Sequence, residues 1–342
     1  MESSLKVAVD AMGGDHAPDV VIEGVKEYLN ENSGDDIRIV LVGKEKEIRK
    51  WMQKLNIQDH PRIEILDALE NISMKEHFFS YWRKREETSI KKALDLLKNG
   101  EASAMVSAGN TGAVMSISKT VLGPLEKVER PALAIRIPTL KGNSLLVDVG
   151  ANVDSKPKNL VQSALMGKIF LESVYGIKDP KVGLMSVGEE EVKGNELTKN
   201  TYNLLRKISK INFRGNVEGR DVYIGDTDLI VTDGFTGNIT LKVTEGVIDV
   251  MLSMLKREIM SNFFSKIGFF FLKRSFKMIK KKMDYSETGG ALLLGVNGIV
   301  IVGHGSSNAK AIKNAIKLSA SFIQKQVLEK MAREMLELQH SL

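Results

Sequence analysis

The chain of 342 residues contains no cysteine. This absence excludes disulfide bonds, thiolate ligands for a metal ion and a cysteine nucleophile. The apolar runs are all far shorter than the roughly 20 residues that a membrane-spanning helix requires, so a spanning segment is excluded. No long apolar signal segment precedes the apolar run at residues 5–9, which predicts a cytosolic protein.

Several short motifs that mark catalytic sites are also missing. The sequence has no GxxxxGKS/T phosphate loop, no GxSxG nucleophile turn and no HExxH zinc motif. Residues 303–308, GHGSSN, supply only part of a dinucleotide fingerprint and lie near the C-terminus. The five histidines are scattered, which favours caps and surface positions over metal ligands. The chain is therefore expected to use no metal ion and no cofactor.

Short runs rich in Val, Ile and Leu alternate with longer helical patterns, and most runs stop at a polar turn that contains glycine. This alternation predicts an α/β fold with a doubly wound, mostly parallel sheet and helices on both faces. No linker rich in Pro, Gly or Ser divides the chain, so residues 1–342 are expected to form a single domain. Strands are predicted at residues 5–10, 37–42, 63–66, 104–107, 145–149, 182–187, 229–232 and 299–302. Helices are predicted at residues 18–31, 45–55, 89–99, 111–122, 158–175, 195–209, 238–255 and 307–338.

Six turns that follow predicted strands are rich in Gly, Asn, Ser, Thr and Asp. In an open parallel sheet the loops after the strands share one edge, where ligands bind. Backbone N–H groups and helix N-termini in such loops favour an anion. Each turn taken alone is better explained as a β-turn with a helix cap, but six together favour one shared anion site. The turns are residues 10–18, 107–113, 148–154, 186–196, 232–238 and 303–309.

The positive charge of the chain is concentrated in one stretch. Residues 259–283 contain seven Lys or Arg and no Asp or Glu, which exceeds the +6 net charge of the whole chain. In a helix these cations fall mostly on one arc and the apolar side chains on the other. Residues 256–284 are therefore predicted to contact an anionic membrane surface rather than nucleic acid. The predicted membrane-contacting residues are Ile267, Phe269, Phe270, Phe271 and Leu272.

Two alternatives remain for this stretch. Because Gly268 interrupts the pattern, a helical hairpin with residues 267–272 at its tip is as consistent with the sequence as one continuous helix. A core helix or a dimer helix with a solvated face would also produce the two arcs.

Seven motifs follow one another along the chain: VAVDAMGGDHAP (7–18), VSAGNTGA (106–113), RPALA (130–134), DVGANVDSKP (148–157), GNELTK (194–199), VTDGFTGN (231–238) and HGSSNAKA (304–311). With this ordered set the chain resembles the bacterial acyl-ACP:phosphate acyltransferases of phospholipid synthesis over nearly its whole length. The resemblance implies a fold related to the phosphotransacetylases and the isopropylmalate dehydrogenase group, a homodimer and peripheral membrane attachment. It also implies transfer of a fatty acyl group from acyl carrier protein to inorganic phosphate, which gives acyl phosphate for glycerophospholipid synthesis.

The chain departs from this family in two places. Ser155 stands in DVGANVDSKP where the family often has Cys, so no thiol is needed for catalysis at this position. Residues 72–89 differ from the acidic, proline-containing stretch of the family. Aromatic and basic residues there are expected to adapt the contact with the acyl chain or its carrier, namely Phe78, Phe79, Tyr81, Trp82, Arg83, Lys84 and Arg85.

The implied reaction needs few catalytic groups. Phosphate is already an anion, and a thiol with a pKa of about 8.5 is a fair leaving group. The site then needs an anion cradle, a cation and a donor to the developing oxyanion. Lys193 is predicted to be the cation and Asn238 the donor, because both match positions that the resemblance implies are catalytic. The alternatives are a surface ion pair of Lys193 with a neighbouring glutamate, and helix capping by Asn238.

Seven further residues are predicted to bind phosphate or to fix the loops: Asp10, Gly13, His16, Asn110, Asn152, Asp233 and His304. His304 is also a candidate general acid for the departing thiol, because the pKa of an unperturbed imidazole is about 6.5. Two other functions compete with acyl transfer. A dehydrogenase of the isopropylmalate type would need spaced aspartates and an arginine clamp, which are not evident. A membrane-surface adaptor would leave the six polar turns unexplained.

Overall fold

The computed structural model describes residues 5–74, 87–283 and 285–338. The divergent aromatic and basic residues at 78–85 therefore lie outside the described residues. Within the described ranges, eleven strands form one sheet. The strands are β1 (Lys6–Asp10), β2 (Arg38–Gly43), β3 (Ile63–Asp67), β4 (Ala104–Ser107), β5 (Ala132–Thr139), β6 (Gly142–Val147), β7 (Val182–Met185), β8 (Phe213–Val217), β9 (Leu229–Val231), β10 (Ala291–Leu294) and β11 (Ile299–Val302). Their order across the sheet is β3-β2-β1-β4-β11-β10-β5-β6-β9-β7-β8.

Most of the helices come directly after a strand in the sequence, as in other α/β folds. A π-helical turn, Leu171–Tyr175, extends the fifth helix, and the short 3₁₀ helix Tyr285–Glu287 precedes β10. The α-helices of the described ranges are α1 (Asp19–Glu31), α2 (Glu45–Lys54), α3 (Ser89–Lys98), α4 (Thr111–Val121), α5 (Pro157–Phe170), α6 (Glu196–Leu205), α7 (Gly234–Ser261), α8 (Phe263–Met283), α9 (Ala309–Gln324) and α10 (Val327–Leu338).

The sheet is mostly parallel, as predicted, but its strands do not all run in one direction. The pairs β11–β10, β10–β5 and β5–β6 are antiparallel, and the other neighbouring pairs are parallel. Strands β3, β2, β1, β4, β11 and β5 consequently run one way, and β10, β6, β9, β7 and β8 run the other way. Loops that follow strands of the two sets leave opposite edges of the sheet.

Both faces of the sheet are covered by helices, which confirms the predicted layers. Along β1, Val7 and Val9 point into a core that also contains side chains of α1, α5 and α9. Ala8 lies between them in the sequence and points into the opposite core, which contains side chains of α3 and α4. The period of two along a strand sends alternate residues to the two faces.

Three strands were not predicted, each for a local reason. In β8, Arg214, Gly215 and Asn216 interrupt any apolar alternation, and the strand lies at the edge of the sheet. Strand β5 contains Arg136 and Pro138, which are unusual inside a sheet. The Arg136 guanidinium lies 3.8 Å from the centre of the Tyr175 ring, which shields its charge from the core. Strand β10, with the sequence ALLL, contains none of the β-branched or aromatic residues that are typical of strands.

Two predicted helix boundaries are wrong. The helix predicted at 307–338 is divided into α9 and α10, because Gln326 adopts a φ of 50°, which a helix cannot contain. The helix predicted to begin at residue 238 begins instead at Gly234, because Asp233 caps it: its carboxylate accepts a 2.9 Å hydrogen bond from the backbone N–H of Thr236.

The basic stretch forms α8, which is separated from α7 by the single residue Asn262. The backbone of Asn262 is extended, with φ −143° and ψ 163°, and its side chain accepts a 2.8 Å hydrogen bond from the N–H of Ser265. Gly268 lies inside α8, where an added Cβ would meet no atom within 4 Å. The predicted hairpin tip at residues 267–272 is therefore wrong, because the break between the helices lies at Asn262 and α8 continues through Gly268.

Candidate active site

The six polar loops form two groups, because the strands before them run in opposite directions. Loops 10–18, 107–113 and 303–309 follow β1, β4 and β11, and we call them the first loop group. Loops 148–154, 186–196 and 232–238 follow β6, β7 and β9, and we call them the second loop group. The expectation that all six leave one edge of the sheet is wrong, since β5 and β10 reverse the strand direction between the groups.

One row of paired residues crosses the sheet at the base of both loop groups. Asp10 directly follows this row in β1, and Asp148 directly follows it after β6. Because the two strands run in opposite directions, the two carboxylates enter loops on opposite sides of the row. The row contains Val9, Val106, Ile301, Leu292, Ala134, Val147 and Val231.

In the first loop group the Asp10 carboxylate links loop 10–18 to loop 107–113 by hydrogen bonds. Its carboxylate is 1% exposed and accepts hydrogen bonds from the Met12 N–H at 3.1 Å and the Ser107 hydroxyl at 2.7 Å. Burial raises the pKa of Asp10 above its ordinary value, against the lowering effect of these hydrogen bonds. Gly13 packs against the same carboxylate, where an added Cβ would lie 2.6 Å from Oδ2. Asp10 and Gly13 thus fix the shape of the loop.

The other predicted residues of the first loop group lie closer to solvent. Asn110 caps α4, because its Oδ1 accepts a 3.1 Å hydrogen bond from the Ala113 N–H, and its Nδ2 donates to the Met74 carbonyl. His304 is exposed, and its Nδ1 lies 2.8 Å from the Ser306 hydroxyl. His16 is exposed in the adjoining loop.

The second loop group is organised around the buried carboxylate of Asp148, which sequence reasoning did not select. Its Oδ1 accepts hydrogen bonds from the N–H groups of Leu133, Gly150 and Ala151, at 3.1, 3.0 and 2.8 Å. Its Oδ2 accepts from both the N–H and the side-chain Nδ2 of Asn152, each at 2.9 Å. Burial raises the pKa of Asp148 despite these donors. Asn152, a predicted binding residue, is thus part of the loop's own framework.

Asn238 lies against this framework from the first turns of α7. An added Cβ at Gly150 would lie 3.6 to 3.9 Å from the Asn238 side chain, which places the amide beside the glycine backbone. Asp233 caps the helix with its carboxylate, so Asn238 is not the N-cap. The capping alternative for Asn238 is therefore wrong, and its exposed amide lies at the surface of the loop group.

Lys193 lies in the loop after β7, next to the loop that begins α7, because β7 pairs with β9. Its side chain is exposed, and among the described residues no carboxylate lies within ion-pair distance of it. Glu191 instead pairs with Arg206 at 3.0 Å. The surface ion pair considered for Lys193 is not present, so its charge is available to an anionic ligand.

Asp148 was missed because its motif suggested a turn rather than a buried acceptor. The only sequence signal is its place between an apolar strand and Gly150, a pattern that Asp10 shares with Gly13. The structure brings Lys193, Asn238, Asn152 and Asp233 into one loop group and the remaining predicted residues into the other. Geometrically, the second group combines a cation that pairs with no carboxylate of the described residues, an amide donor and a glycine backbone, which suits an oxyanion or a phosphate.

The predicted membrane-contacting side chains lie on α8. Phe270 and Phe271 are 73% and 78% exposed, and Ile267 and Leu272 are also exposed. Phe269 is partly buried, with its ring 5.2 Å from that of Phe276. The cations Lys266, Lys273, Arg274 and Lys277 of the same helix are exposed.

The described residues contain neither a candidate membrane-spanning helix nor a candidate metal cluster. None of the helices in these ranges is both long and apolar enough to cross a membrane. No group of three His, Asp or Glu side chains in the same ranges is arranged to hold a metal ion.

Comparison with known proteins gives consistent matches. The family model described as fatty acid synthesis protein matches residues 5–330. A protein of Thermodesulfovibrio yellowstonii named phosphate acyltransferase is 46% identical over 331 residues, which cover 97% of this chain and 94% of the relative. A protein of the same name from Dictyoglomus thermophilum is 49% identical over 327 residues, or 95% of this chain and 96% of the relative.

Solved structures match the fold. The EutD phosphotransacetylase from Staphylococcus aureus superposes with a TM-score of 0.60 at 14% sequence identity, covering 93% of this chain and 94% of that chain. This likeness confirms the predicted relation to the phosphotransacetylase fold.

Proposed function

Because the chain belongs to the fatty acid synthesis protein family, we propose that it transfers a fatty acyl group from acyl carrier protein to inorganic phosphate. Its relatives named phosphate acyltransferase make it an acyltransferase, with an acyl group and phosphate as substrates. The proposed donor is the thioester of acyl carrier protein, and the proposed product is an acyl phosphate for glycerophospholipid synthesis. The whole chain is proposed to act as one unit in this reaction.

In the proposed reaction a phosphate oxygen attacks the thioester carbonyl, and a carbon–oxygen bond forms. The carbonyl oxygen becomes an oxyanion, the carbon–sulfur bond then breaks, and the thiolate leaves and takes a proton from water. The observation that supports this chemistry is the second loop group. The Asn238 amide lies beside the Gly150 backbone, and the Lys193 ammonium, which pairs with no described carboxylate, lies in the neighbouring loop. Lys193 would hold the phosphate, and Asn238 would donate to the oxyanion.

The remaining predicted residues are proposed to have supporting roles. Asp10, Gly13, Asn152 and Asp233 would fix the loops through the contacts described above, and Asn110 would cap α4. His16 and His304 lie in the first loop group, at the other edge of the sheet from Lys193 and Asn238, and are proposed to fix that loop group, His304 through its contact with Ser306.

The experiment that tests the function uses purified protein, the acyl thioester of acyl carrier protein and inorganic phosphate. Release of free thiol that requires phosphate, together with an acyl phosphate product, is the expected result. Lys193→Ala is the negative control, because this variant should fold normally and release little thiol. Thiol release by the unchanged protein that is independent of phosphate would contradict the proposal.

Contact with an anionic membrane surface is proposed for α8. The exposed Phe270 and Phe271 would insert among the lipids, and the exposed cations would attract anionic headgroups. A homodimer is also proposed, and the support for it is the exposed apolar outer part of α7 at Met251, Met254, Leu255 and Met260. Light scattering should give the mass of two chains, whereas the mass of one chain would contradict the dimer.

A further inference from the structure

The loop that carries Lys193 is fixed at both of its ends. It comprises residues 186–196, between β7 and α6, and we call it the lysine loop. At its start the Ser186 N–H donates a 2.9 Å hydrogen bond to the carbonyl of the last residue in β8. At its end Asn195 caps α6, because its Oδ1 accepts a 2.9 Å hydrogen bond from the Thr198 N–H. Lys193 lies between these two anchors, so its position depends on what holds the middle of the loop.

A side chain of the edge strand β8 holds this middle part. The Glu190 carbonyl accepts a 3.0 Å hydrogen bond from the Lys193 N–H, which closes a turn. The same carbonyl accepts a 2.9 Å hydrogen bond from Nδ2 of Asn216 in β8. The ion pair of Glu191 with Arg206 is exposed and therefore fixes the loop only weakly. Asn216 consequently ties the turn that contains Lys193 to the sheet.

The stem of the Lys193 side chain is also confined. It passes over Gly188, where an added Cβ would lie 2.9 Å from the Lys193 Cγ and 3.3 Å from its Cβ. A lysine ammonium is otherwise carried on a flexible methylene stem. Because the backbone is held through Glu190 and the stem lies against Gly188, the ammonium has a restricted range of positions.

Asn216 is an unfavourable residue for the strand in which it lies. Asparagine is depleted in strands, and the Oδ1 of Asn216 is buried with no hydrogen-bond partner among the described residues. An unpaired buried acceptor lowers stability. The hydrogen bond to Glu190 does not rescue another unpaired group, because the Glu190 carbonyl already accepts from the Lys193 N–H. Residues that break local rules in this way are expected at functional positions.

We propose that Asn216 is a positioning residue that holds the Lys193 ammonium at the phosphate. This inference rests on the proposed function, in which Lys193 holds the phosphate. Asn216 acts only through the lysine loop. Its replacement should therefore impair the use of phosphate without lowering the stability of the fold.

The first test replaces Asn216 by valine and measures phosphate-dependent thiol release with the full chain. Asn216→Val should lower kcat/KM for phosphate about tenfold, less than the roughly hundredfold that a misplacement of about 1 Å can cause, because the turn itself remains. KM for the acyl thioester should not change. The urea denaturation midpoint should be unchanged or higher, because valine favours strands and leaves no buried acceptor unpaired. Arg214→Val is the matched control, because Arg214 is exposed in the same strand, and its kinetics should equal those of the unchanged protein.

A double-mutant cycle with Lys193→Ala separates positioning from a general structural effect. In the Lys193→Ala background, Asn216→Val should lower kcat/KM by less than about twofold, because the group that Asn216 positions has been removed. If Asn216→Val fails to fold, as judged by circular dichroism, Asn216→Ala replaces it in both backgrounds, because alanine removes the same hydrogen bond without a branched side chain.

The remaining outcomes contradict the inference in different ways. An equal loss of kcat/KM in both backgrounds overturns it, and so does a loss that comes with a lower urea midpoint and a raised KM for the thioester. Unchanged kinetics of the Asn216 variants overturn it as well. If the unchanged protein makes no acyl phosphate, the proposed function fails and the inference fails with it, whereas each of the other results, in an active protein, contradicts the inference alone.

Discussion

Replacement of Gly237 by alanine should disable the enzyme while leaving it folded. Gly237 lies one residue before Asn238, at the point where α7 crosses the loop after β6. A Cβ added at Gly237 would lie 1.9 Å from the Asp148 carbonyl oxygen and 2.9 Å from a methyl group of Thr232. The first of these neighbours is backbone, so it cannot rotate away as a flexible side chain would.

The size of the effect follows from this contact. Real Cβ atoms essentially never approach closer than 3.0 Å, so α7 and the loop must separate by at least 1.1 Å. A misplacement of about 1 Å at a catalytic group lowers turnover by roughly a hundredfold. Overpacking of this kind costs about 1–3 kcal/mol of unfolding free energy, which a chain of this size should survive.

Gly246→Ala provides the matched control in the same helix. An added Cβ at Gly246 would meet nothing within 4 Å, and alanine stabilises a helix interior by about 1 kcal/mol relative to glycine. We therefore expect a raised denaturation midpoint and full turnover for Gly246→Ala. Phosphate-dependent thiol release and urea denaturation should be measured on both variants. Turnover of Gly237→Ala within threefold of the unchanged protein would refute the link between α7 placement and catalysis.

Four further changes test other parts of the site and the membrane contact. Lys193→Ala should fold normally and lose roughly 10²–10³ in turnover. Lys193→Arg should not restore the turnover, because a planar guanidinium does not replace a compact ammonium at a tetrahedral anion. Near-normal kinetics of the alanine variant would exclude a catalytic role for Lys193. Asn238→Ala should lower turnover by about 10²-fold without lowering the melting temperature, because Asn238 is not a cap. A lower melting temperature with intact activity would instead show that Asn238 stabilises the fold and is not a catalytic donor. Phe270→Ser/Phe271→Ser should abolish co-sedimentation with anionic vesicles, whereas unchanged binding would mean that these rings contact protein. Burial raises the folded-state pKa of Asp10 above its ordinary 3.8, so its contribution to stability is present below pH 3.8 and is lost as pH rises through the folded-state pKa. In the Asp10→Asn variant the urea denaturation midpoint should therefore fall less as pH rises above 3.8. Identical pH profiles of the midpoint for the variant and the unchanged protein would contradict this.

Sequence patterns predicted the layers of the fold because burial on both faces requires strands of nearly continuous apolar character. They could not predict the direction of β10, which is antiparallel to both β11 and β5, nor the antiparallel pairing of β5 with β6, which reverses the strands beyond it. A run of four apolar residues is compatible with either direction, and only its pairing with Ile301 and Ala134 decides. The division of the polar turns into two groups also needs the antiparallel pairing of β5 with β6, which the apolar patterns do not reveal.

Within the candidate site, motif resemblance selected two exposed side chains, whose catalytic roles stay predictions, but it did not select the buried Asp148. Lys193 and Asn238 were selected because their motifs resemble a family, whereas Asp148 acts through five hydrogen bonds that only the folded loop creates. The start of α7 was misplaced by four residues because glycine is a poor helix former, and the cap by Asp233 overrides that preference.

The position of β10 and β11 sets the order in which the protein can be assembled during synthesis. Strands β1 to β4 form one side of the sheet and β5 to β9 the other, and the two sides are joined only through β11 and β10. These joining strands are the last to leave the ribosome, after residue 290. Until then the nascent chain has two separate sheets, each with an unpaired edge that is prone to incorrect pairing. A chain stopped before β10 should consequently behave as two loosely connected units, and both loop groups reach their final relation only when the joining strands are inserted.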